Sequence, residues 1–343
     1  MDWFERLTGF PEGDYAATQR RLSVVDGRLR SSATRRTYAV GTFELPGLSE
    51  LRARARAVDL SSRLQLSIAE GDVRAMHRLP ENRGALIQVA SQFNALEMVD
   101  PGVTPEVGVT RYAYDGTQGP ACAMAAGGAT IVRNYLLSVG GGMGQTAARQ
   151  LDGLADLGRA LAERLGTDVS ALWRMQNGYA LATASGLAAI GRLLAVADDA
   201  TRDELRGLLR IGVHWDVEVT DGPTPGPLVS QAFCSALPVA YSDEPAAAWA
   251  PFAQLVLEAA YEATLLTSVL NAARGGSRRV LLTRLGGGAF GNADAWIDEA
   301  LLRACHLIAD ADLDVVIVSY RRPSASLAEV VRRFEASTSP GAS

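Results

Sequence analysis

Residues 280–292, VLLTRLGGGAFGN, constrain this chain more than any other stretch. An apolar run that reads as a buried strand, 280–285, opens directly into a glycine-rich turn. A helical pattern follows over 294–308, and a second apolar run, 313–319, reads as the next strand. Alternation of this kind implies a mixed or parallel sheet with helices on both faces. Glycines in such a turn let the backbone adopt positive φ and approach a ligand with no Cβ in the way. Backbone N–H groups at the start of the following helix point outward with the positive end of the helix dipole behind them, which suits a phosphate or pyrophosphate. The plainer alternative is a glycine-rich turn that merely packs tightly.

Gly286, Gly288 and Gly291 also match G-x-G-x-x-G, the dinucleotide fingerprint. In a Rossmann domain that fingerprint opens the fold and several strand–helix units follow it. Here about fifty residues remain. An NAD-dependent oxidoreductase is therefore disfavoured.

The 343 residues carry a formal net charge of −5, which argues against a general nucleic-acid binder. No apolar run approaches the length of a membrane span. The start, MDWFERLTGFPEGD, has early acids and no apolar centre, unlike a secretory signal. Cys122, Cys234 and Cys305 are far apart in apolar segments and read as buried thiols of a cytoplasmic protein. His77, His214 and His306 show no metal-ligand spacing with them, so no metal is expected.

Residues 1–60 read as an extension: an antiparallel meander over 21–45, then a helix over 48–58. Strands are expected at 64–68 and 85–90, and one helix rich in small residues at 121–137. A second glycine cluster, GGGMG, lies at 140–144. Residues 145–207 carry helical periodicity without a strand signal, including a leucine stripe from Leu151 to Leu165 and a T-x-x-E box, Thr201 and Glu204, for a short helix. They read as a helical insertion in a main α/β domain spanning 61–330. Beyond it, strands are expected at 209–219 and 229–240, a helix at 251–270 and a helix after Pro323. A loose tail is assigned to 331–343.

Three further segments hold polar groups where strands emerge, the usual place for ligands in open α/β sheets. In Gly71-Asp72-Val73, Asp72 follows a strand, where a carboxylate can accept from an exocyclic amine; it suits a helix N-cap equally well. In SQFNALEM, the carboxamides of Gln92 and Asn94 can orient a hydroxyl or a water, and Glu97 can act as a general base or stand as a surface charge. In YAYDGTQGPAC, Tyr112 or Tyr114 can stack on a base and Asp115 is a second candidate base; tyrosines near a helix start also serve as core. Alternation in HWDVE would place His214, Asp216 and Glu218 on one strand face, with Asp216 the candidate for catalysis and a solvated face the alternative.

The order strand–GDV–strand–amide-rich loop–helix, then strand–GGGAFGN–helix–strand, resembles a divergent, extended macrodomain. Macrodomains are α/β modules that bind ADP-ribose, and many hydrolyse ADP-ribosyl conjugates. The resemblance covers roughly 64–137 and 209–320. It implies a three-layer α/β/α sandwich with a mixed sheet. It implies that Asp72 and Val73 hold adenine and that Gly286, Gly287, Gly288, Ala289, Phe290, Gly291 and Asn292 wrap the diphosphate. It implies that Gln92 or Asn94 stands beside the distal ribose, in place of the family's N-A-A-N step. The glycine run usual after those asparagines is replaced by MVDPGVTPEVGVTRYAYDGTQGP. The expected activity is binding of ADP-ribose or a related NAD-derived nucleotide, with hydrolysis at the distal ribose and no required cofactor. The expected partner is that small molecule or an ADP-ribosylated substrate, with nucleic acid entering only as a modified substrate. The alternative is a reader that binds without catalysis, and a carboxylate within reach of the site would separate the two.

Overall fold

The structure is a computed structural model and describes residues 1–59 and 61–338. Two short helices, α1 (Trp3–Thr8) and α2 (Tyr15–Arg20), open the chain, each N-capped by an aspartate. The meander follows as β1 (Leu22–Val25), β2 (Arg28–Ser31) and β3 (Thr34–Ala39). Asp26 and Gly27 both take positive φ in its first turn, as a two-residue hairpin loop requires. β4 (Thr42–Glu44) then leaves the meander and becomes an edge strand of the main sheet. The chain continues through α3 (Leu48–Ala55), β5 (Gln65–Glu70), α4 (Val73–Met76) and β6 (Leu86–Ala90) to the helices α5 (Gln118–Ala125) and α6 (Gly127–Tyr135).

A small hairpin, β7 (Ser138–Val139) and β8 (Gly142–Met143), leads to an excursion outside the main sheet. The excursion comprises α7 (Ala155–Leu165), α8 (Val169–Leu172), the hairpin β9 (Trp173–Gln176) and β10 (Tyr179–Ala182), α9 (Ala184–Val196) and α10 (Asp199–Gly207). The remaining elements are β11 (Gly212–Glu218), β12 (Leu228–Cys234), α11 (Ala246–Ala273), β13 (Arg279–Leu282), α12 (Asp294–Leu307), β14 (Asp314–Ser319) and α13 (Ala325–Thr338).

Seven strands form the main sheet in the order β4-β11-β12-β6-β13-β14-β5. The five from β12 to β5 are mutually parallel; β11 runs antiparallel to β12, and the edge strand β4 runs antiparallel to β11. Alternate residues of the central strands feed two cores. Leu86, Val280, Leu282, Val315 and Ile317 pack in the cluster that holds Val256 and Ala260 of α11. Ile87, Val89, Leu281 and Val316 pack with Cys122, Ala126 and Ala129 of α5 and α6. Strands buried on both faces read as continuous apolar runs, which is why the sequence announces them so plainly. The sandwich of two helical layers about a mixed sheet is the fold class expected from the sequence.

Several local readings change. The single helix expected over 121–137 breaks at Ala126 (φ −112°, ψ 55°). Thr220, beyond β11, enters the ladder there: its N–H donates to Ala125 O, and its hydroxyl accepts from Gly127 N–H. An inserted partner of this kind kinks a helix. Residues 145–207 contain strands β9 and β10, whose turn is Asn177-Gly178 with both residues at positive φ. The N-cap of α10 is Asp198, which accepts from Thr201 N–H, so the T-x-x-E pair lies inside the helix. GGGMG forms the tight β7–β8 hairpin. Alternation fails in β11. A bulge between His214 and Val217 puts Asp216 at φ 54°, so His214 and Glu218 are buried while Asp216 faces out to Arg274 at 2.7 Å. α13 runs through much of the segment read as a tail, and residues 339–343 lie outside those described. No helix among the described residues is long and apolar enough to cross a membrane.

Candidate functional site

The chain leaves β6 at Ala90 and β13 at Leu282, at the carboxyl ends of adjacent parallel strands. A cleft opens there, bounded by Ser91, Gln92 and Glu97 after β6, by 117–120 at the start of α5, and by 283–286 and 288–290 after β13. With its open mouth it holds about 710 Å³ of space not filled by protein atoms.

The glycine loop forms one wall. Gly286 sits at φ 76°, and a Cβ there would stand 2.4 Å from Ala236 Cβ. Gly291 sits at φ 70° against Ala240. Asn292 is buried and locks the turn by donating from its amide to Leu237 O (2.8 Å) and Gly286 O (3.3 Å). Gly288 differs: it has ordinary φ and open space around its Cβ position. Gly287 N–H is taken by Arg284 O, Gly291 N–H by Gly288 O and Asn292 N–H by Gly286 O. The N–H groups of Gly288, Ala289 and Phe290 find no acceptor among the described residues. α12 starts three residues after Gly291 and does not line the cleft. Its first turn is occupied instead by Asp294, which pairs with Arg284 at 2.8 Å. The loop's own residues, and not the helix N-terminus expected from the sequence, line the cleft.

The opposite wall is the start of α5. Thr117 is its N-cap without a side-chain cap bond. The N–H groups of Gln118 and Gly119 find no acceptor among the described residues. Gly119 is obligatory for a packing reason: a Cβ there would stand 1.9 Å from Ala90 O and 3.2 Å from Glu97 Cγ. The Gln118 side chain caps the open edge of β6, accepting from Ala90 N–H and donating to Gln88 O, both at 2.8 Å.

Glu97 is 2% exposed and lines the cleft. Its carboxylate lies 3.3–3.4 Å from Arg133 Nη2, and its N–H donates to the Tyr112 hydroxyl at 3.0 Å. Arg133 projects from α6, is fully buried, donates to Ala95 O and stacks 3.8 Å over the Phe233 ring. Burial pushes the Glu97 carboxyl up, to about 7, against the opposing charge of Arg133. A carboxyl poised there exchanges protons near neutral pH. Ala95, two residues before it, holds φ 57°. Backbone strain in a non-glycine residue beside a buried acid is typical of functional loops.

Aromatic rings cover the cleft. Tyr179, Tyr241 and Phe290 meet with ring centroids 5.3–5.7 Å apart. The Tyr179 hydroxyl donates to Met98 O at 2.6 Å.

The cleft thus collects Gln92, Glu97, Asp115, Gly286, Gly288, Ala289 and Phe290 from the residues expected at the site. Gln92 is held through Met98 N–H on its carbonyl oxygen. Asp115 sits at the rim and caps Thr117 N–H. Gly287, Gly291 and Asn292 shape the loop without lining the cleft. Asn94 is fully buried behind it and spends its amide within the protein, on Leu96 N–H and Gln150. Asp72 does not line the cleft; it is exposed at the N-cap of α4, after the edge strand β5, and Val73, the first residue of that helix, is buried. Asp216 is remote, for the reason given by the bulge. Tyr112 stands behind Glu97, and Tyr114 is exposed. Sequence reasoning missed Arg133, Gly119, Tyr179 and Tyr241. The Asn177-Gly178 pair, a strong hairpin signal, would have placed Tyr179 on a strand; nothing in the sequence marks Arg133.

No family model matches the chain, and no curated protein matches it in sequence. Solved structures are similar to it in overall shape. A poly(ADP-ribose) glycohydrolase from Deinococcus radiodurans in complex with ADP-ribose is 14% identical, over 86% of this chain and 94% of that one, with a TM-score of 0.46. A poly(ADP-ribose) glycohydrolase from Thermomonospora curvata is 15% identical, over 93% and 95%, with a TM-score of 0.43.

Proposed function

We propose that the cleft binds ADP-ribose or a related NAD-derived nucleotide and that the protein hydrolyses an ADP-ribosyl bond at the distal ribose. The observation that carries this reading is a cleft at the carboxyl ends of β6 and β13, lined by residues whose backbone N–H groups are unpaired and by a residue with a buried carboxyl. Gly288, Ala289 and Phe290 line it in the loop after β13, Gln118 and Gly119 at the start of α5, and the N–H groups of all five find no acceptor among the described residues. Arg284, the lining arginine, is already neutralised by Asp294 and Asp298. A diphosphate here would be held by oriented amide dipoles, as at other anion-binding turns. The exposed aromatic surface of Phe290 and Tyr241 suits a ribose or base.

Glu97 is the candidate base. Its place in the cleft favours a hydrolase over a reader, because a reader needs no carboxyl there. In its ionised form it would take a proton from a water attacking the anomeric carbon as the bond from that carbon to the leaving oxygen breaks; the leaving oxygen would take its proton from solvent, and Gln92 would help to orient the attacking water. Asp72, outside the cleft, has no part in this assignment.

The test is release of free ADP-ribose from an ADP-ribosylated protein. Glu97→Gln keeps shape and removes the base, and should lower kcat by about 10²–10⁴-fold while ADP-ribose still binds. In the wild type the rate should rise with pH through about 7, where Glu97 ionises. Full activity in a folded Glu97→Gln variant would leave a reader, or another base, as the answer.

A further inference from the structure

The loop that carries Glu97, from Gln92 to Pro101, has no regular secondary structure of its own. Part of its backbone is held by residues 145–179, in and just before the excursion. Gly178 O accepts from Phe93 N–H, Phe93 O accepts from Gly153 N–H, and Asn94 O accepts from the Gln145 amide at 3.0 Å. Tyr179 holds Met98 O.

Within these contacts runs a closed relay of three carboxamides. Leu96 N–H donates to Asn94 Oδ1 at 3.0 Å, so Asn94 Nδ2 must face away, and it donates to Gln150 Oε1 at 2.8 Å. Gln150 Nε2 donates to Asn177 Oδ1 at 2.9 Å, and Asn177 Nδ2 donates to Pro101 O at 2.6 Å. Each amide's orientation is dictated by the one before it, because oxygen only accepts and NH₂ only donates. The relay begins on one side of Glu97 and ends on the other. Gln150 is its middle member and touches neither Glu97 nor the cleft lining.

We infer that Gln150 is a positioning residue: through Asn94 and Asn177 it fixes both ends of the loop and so sets where the Glu97 carboxyl stands in the cleft. This rests on the reading of Glu97 as the base. The excursion therefore serves the site twice, by placing Tyr179 and by bracing the base. Its small Asn177-Gly178 turn fits because Gly178 packs directly on the loop; a Cβ there would stand 2.7 Å from Asn94 Cγ. Bracing matters for the reaction because a displacement of about 1 Å in a reacting group can cost on the order of 10²-fold in rate.

The experiment compares wild type, Gln150→Ala, Gln150→Glu and, as a control outside the relay, Arg149→Ala, all in the full chain. Four quantities are read: melting temperature, ADP-ribose affinity, kcat and KM on an ADP-ribosylated protein, and the titration of the Glu97 carboxyl by carbon-13 NMR. Gln150→Ala should fold, bind ADP-ribose within about twofold of wild type, and lose about tenfold or more in kcat, with the Glu97 titration displaced. Gln150→Glu keeps an acceptor for Asn94 and cannot donate to Asn177, so its kcat should fall between the two. Unchanged kcat and an unchanged Glu97 titration in folded Gln150→Ala would overturn the proposal. So would equal losses in affinity and kcat that track a lowered melting temperature, which mark a purely structural role. If wild type neither binds nor hydrolyses the substrates, the functional reading falls. The NMR titration alone then decides the positioning claim: a displaced titration upholds it, and an unchanged one overturns it.

Discussion

Glu97 and Arg133 form a fully buried ion pair, and the two do not play equal parts. The acid belongs to a residue that lines the cleft; the arginine lies behind it, enclosed by Ala95 O, Thr130 and the Phe233 ring. Removing one partner of such a pair leaves an uncompensated buried charge, at a cost of about 3–5 kcal/mol. Arg133→Met should therefore destabilise the protein by about that amount and push the Glu97 carboxyl above its present position near 7. Denaturant unfolding checks the first, and an alkaline shift of the pH–rate limb checks the second. At this scale the sequence was only partly informative. Glu97 and Gln92 were legible because polar groups ending an apolar strand have few reasons to be there. Arg133 was not, since a single arginine within a helix ordinarily reads as a solvated charge. Asn94 and Glu97 looked alike in sequence, and only the packing of Gln145 and Gln150 on Asn94 separates brace from base.

At the scale of elements, the glycine loop divides into residues that shape it and residues that face a ligand. Gly286 belongs to the first kind. Alanine at φ 76°, with its Cβ 2.4 Å from Ala236, should cost about 1 kcal/mol or more, from the left-handed conformation alone, and lower the melting temperature accordingly. A melting temperature equal to wild type for Gly286→Ala would show that the loop re-forms freely. The strands and helices of the parallel half were legible because burial on both faces leaves uninterrupted apolar runs. What was missed shares one cause, a partner distant in sequence. Thr220 breaks the helix at Ala126, and the bulge in β11 turns Asp216 outward where simple alternation would hide it. Asp72 shows the limit of a short motif: a strand-end aspartate serves equally well as a helix cap, and here it caps.

Across the whole molecule, two buried histidines tie stability to pH. Burial holds the His77 ring down to about 4 and the His214 ring to about 3, from an ordinary value of 6.5. The unfolded chain then binds more protons, so these groups contribute stability above about 6.5 that is lost as pH falls. Glu97 acts in the opposite sense, because its raised carboxyl favours the folded state most at low pH. Stability should decline less steeply on acidification once one of these histidines is replaced. Urea unfolding of His214→Gln between pH 6.5 and pH 4 should give a shallower slope than wild type, and an equal slope would mean that His214 opens to water before unfolding. The excursion meets the rest of the fold at the loop after β6 and in the core beside α11, and both parts contribute residues to one cleft.

That cleft is the central claim, and titration calorimetry with ADP-ribose tests it most directly. Gly288 is the residue to change, because its Cβ position is open and valine there should leave the fold intact while filling space beside the three free amides. The account predicts one saturable site in wild type and a loss of about tenfold or more in affinity, roughly 1.4 kcal/mol or more, in a folded Gly288→Val variant. Absence of binding by wild type, or equal affinity in the two proteins, would contradict it.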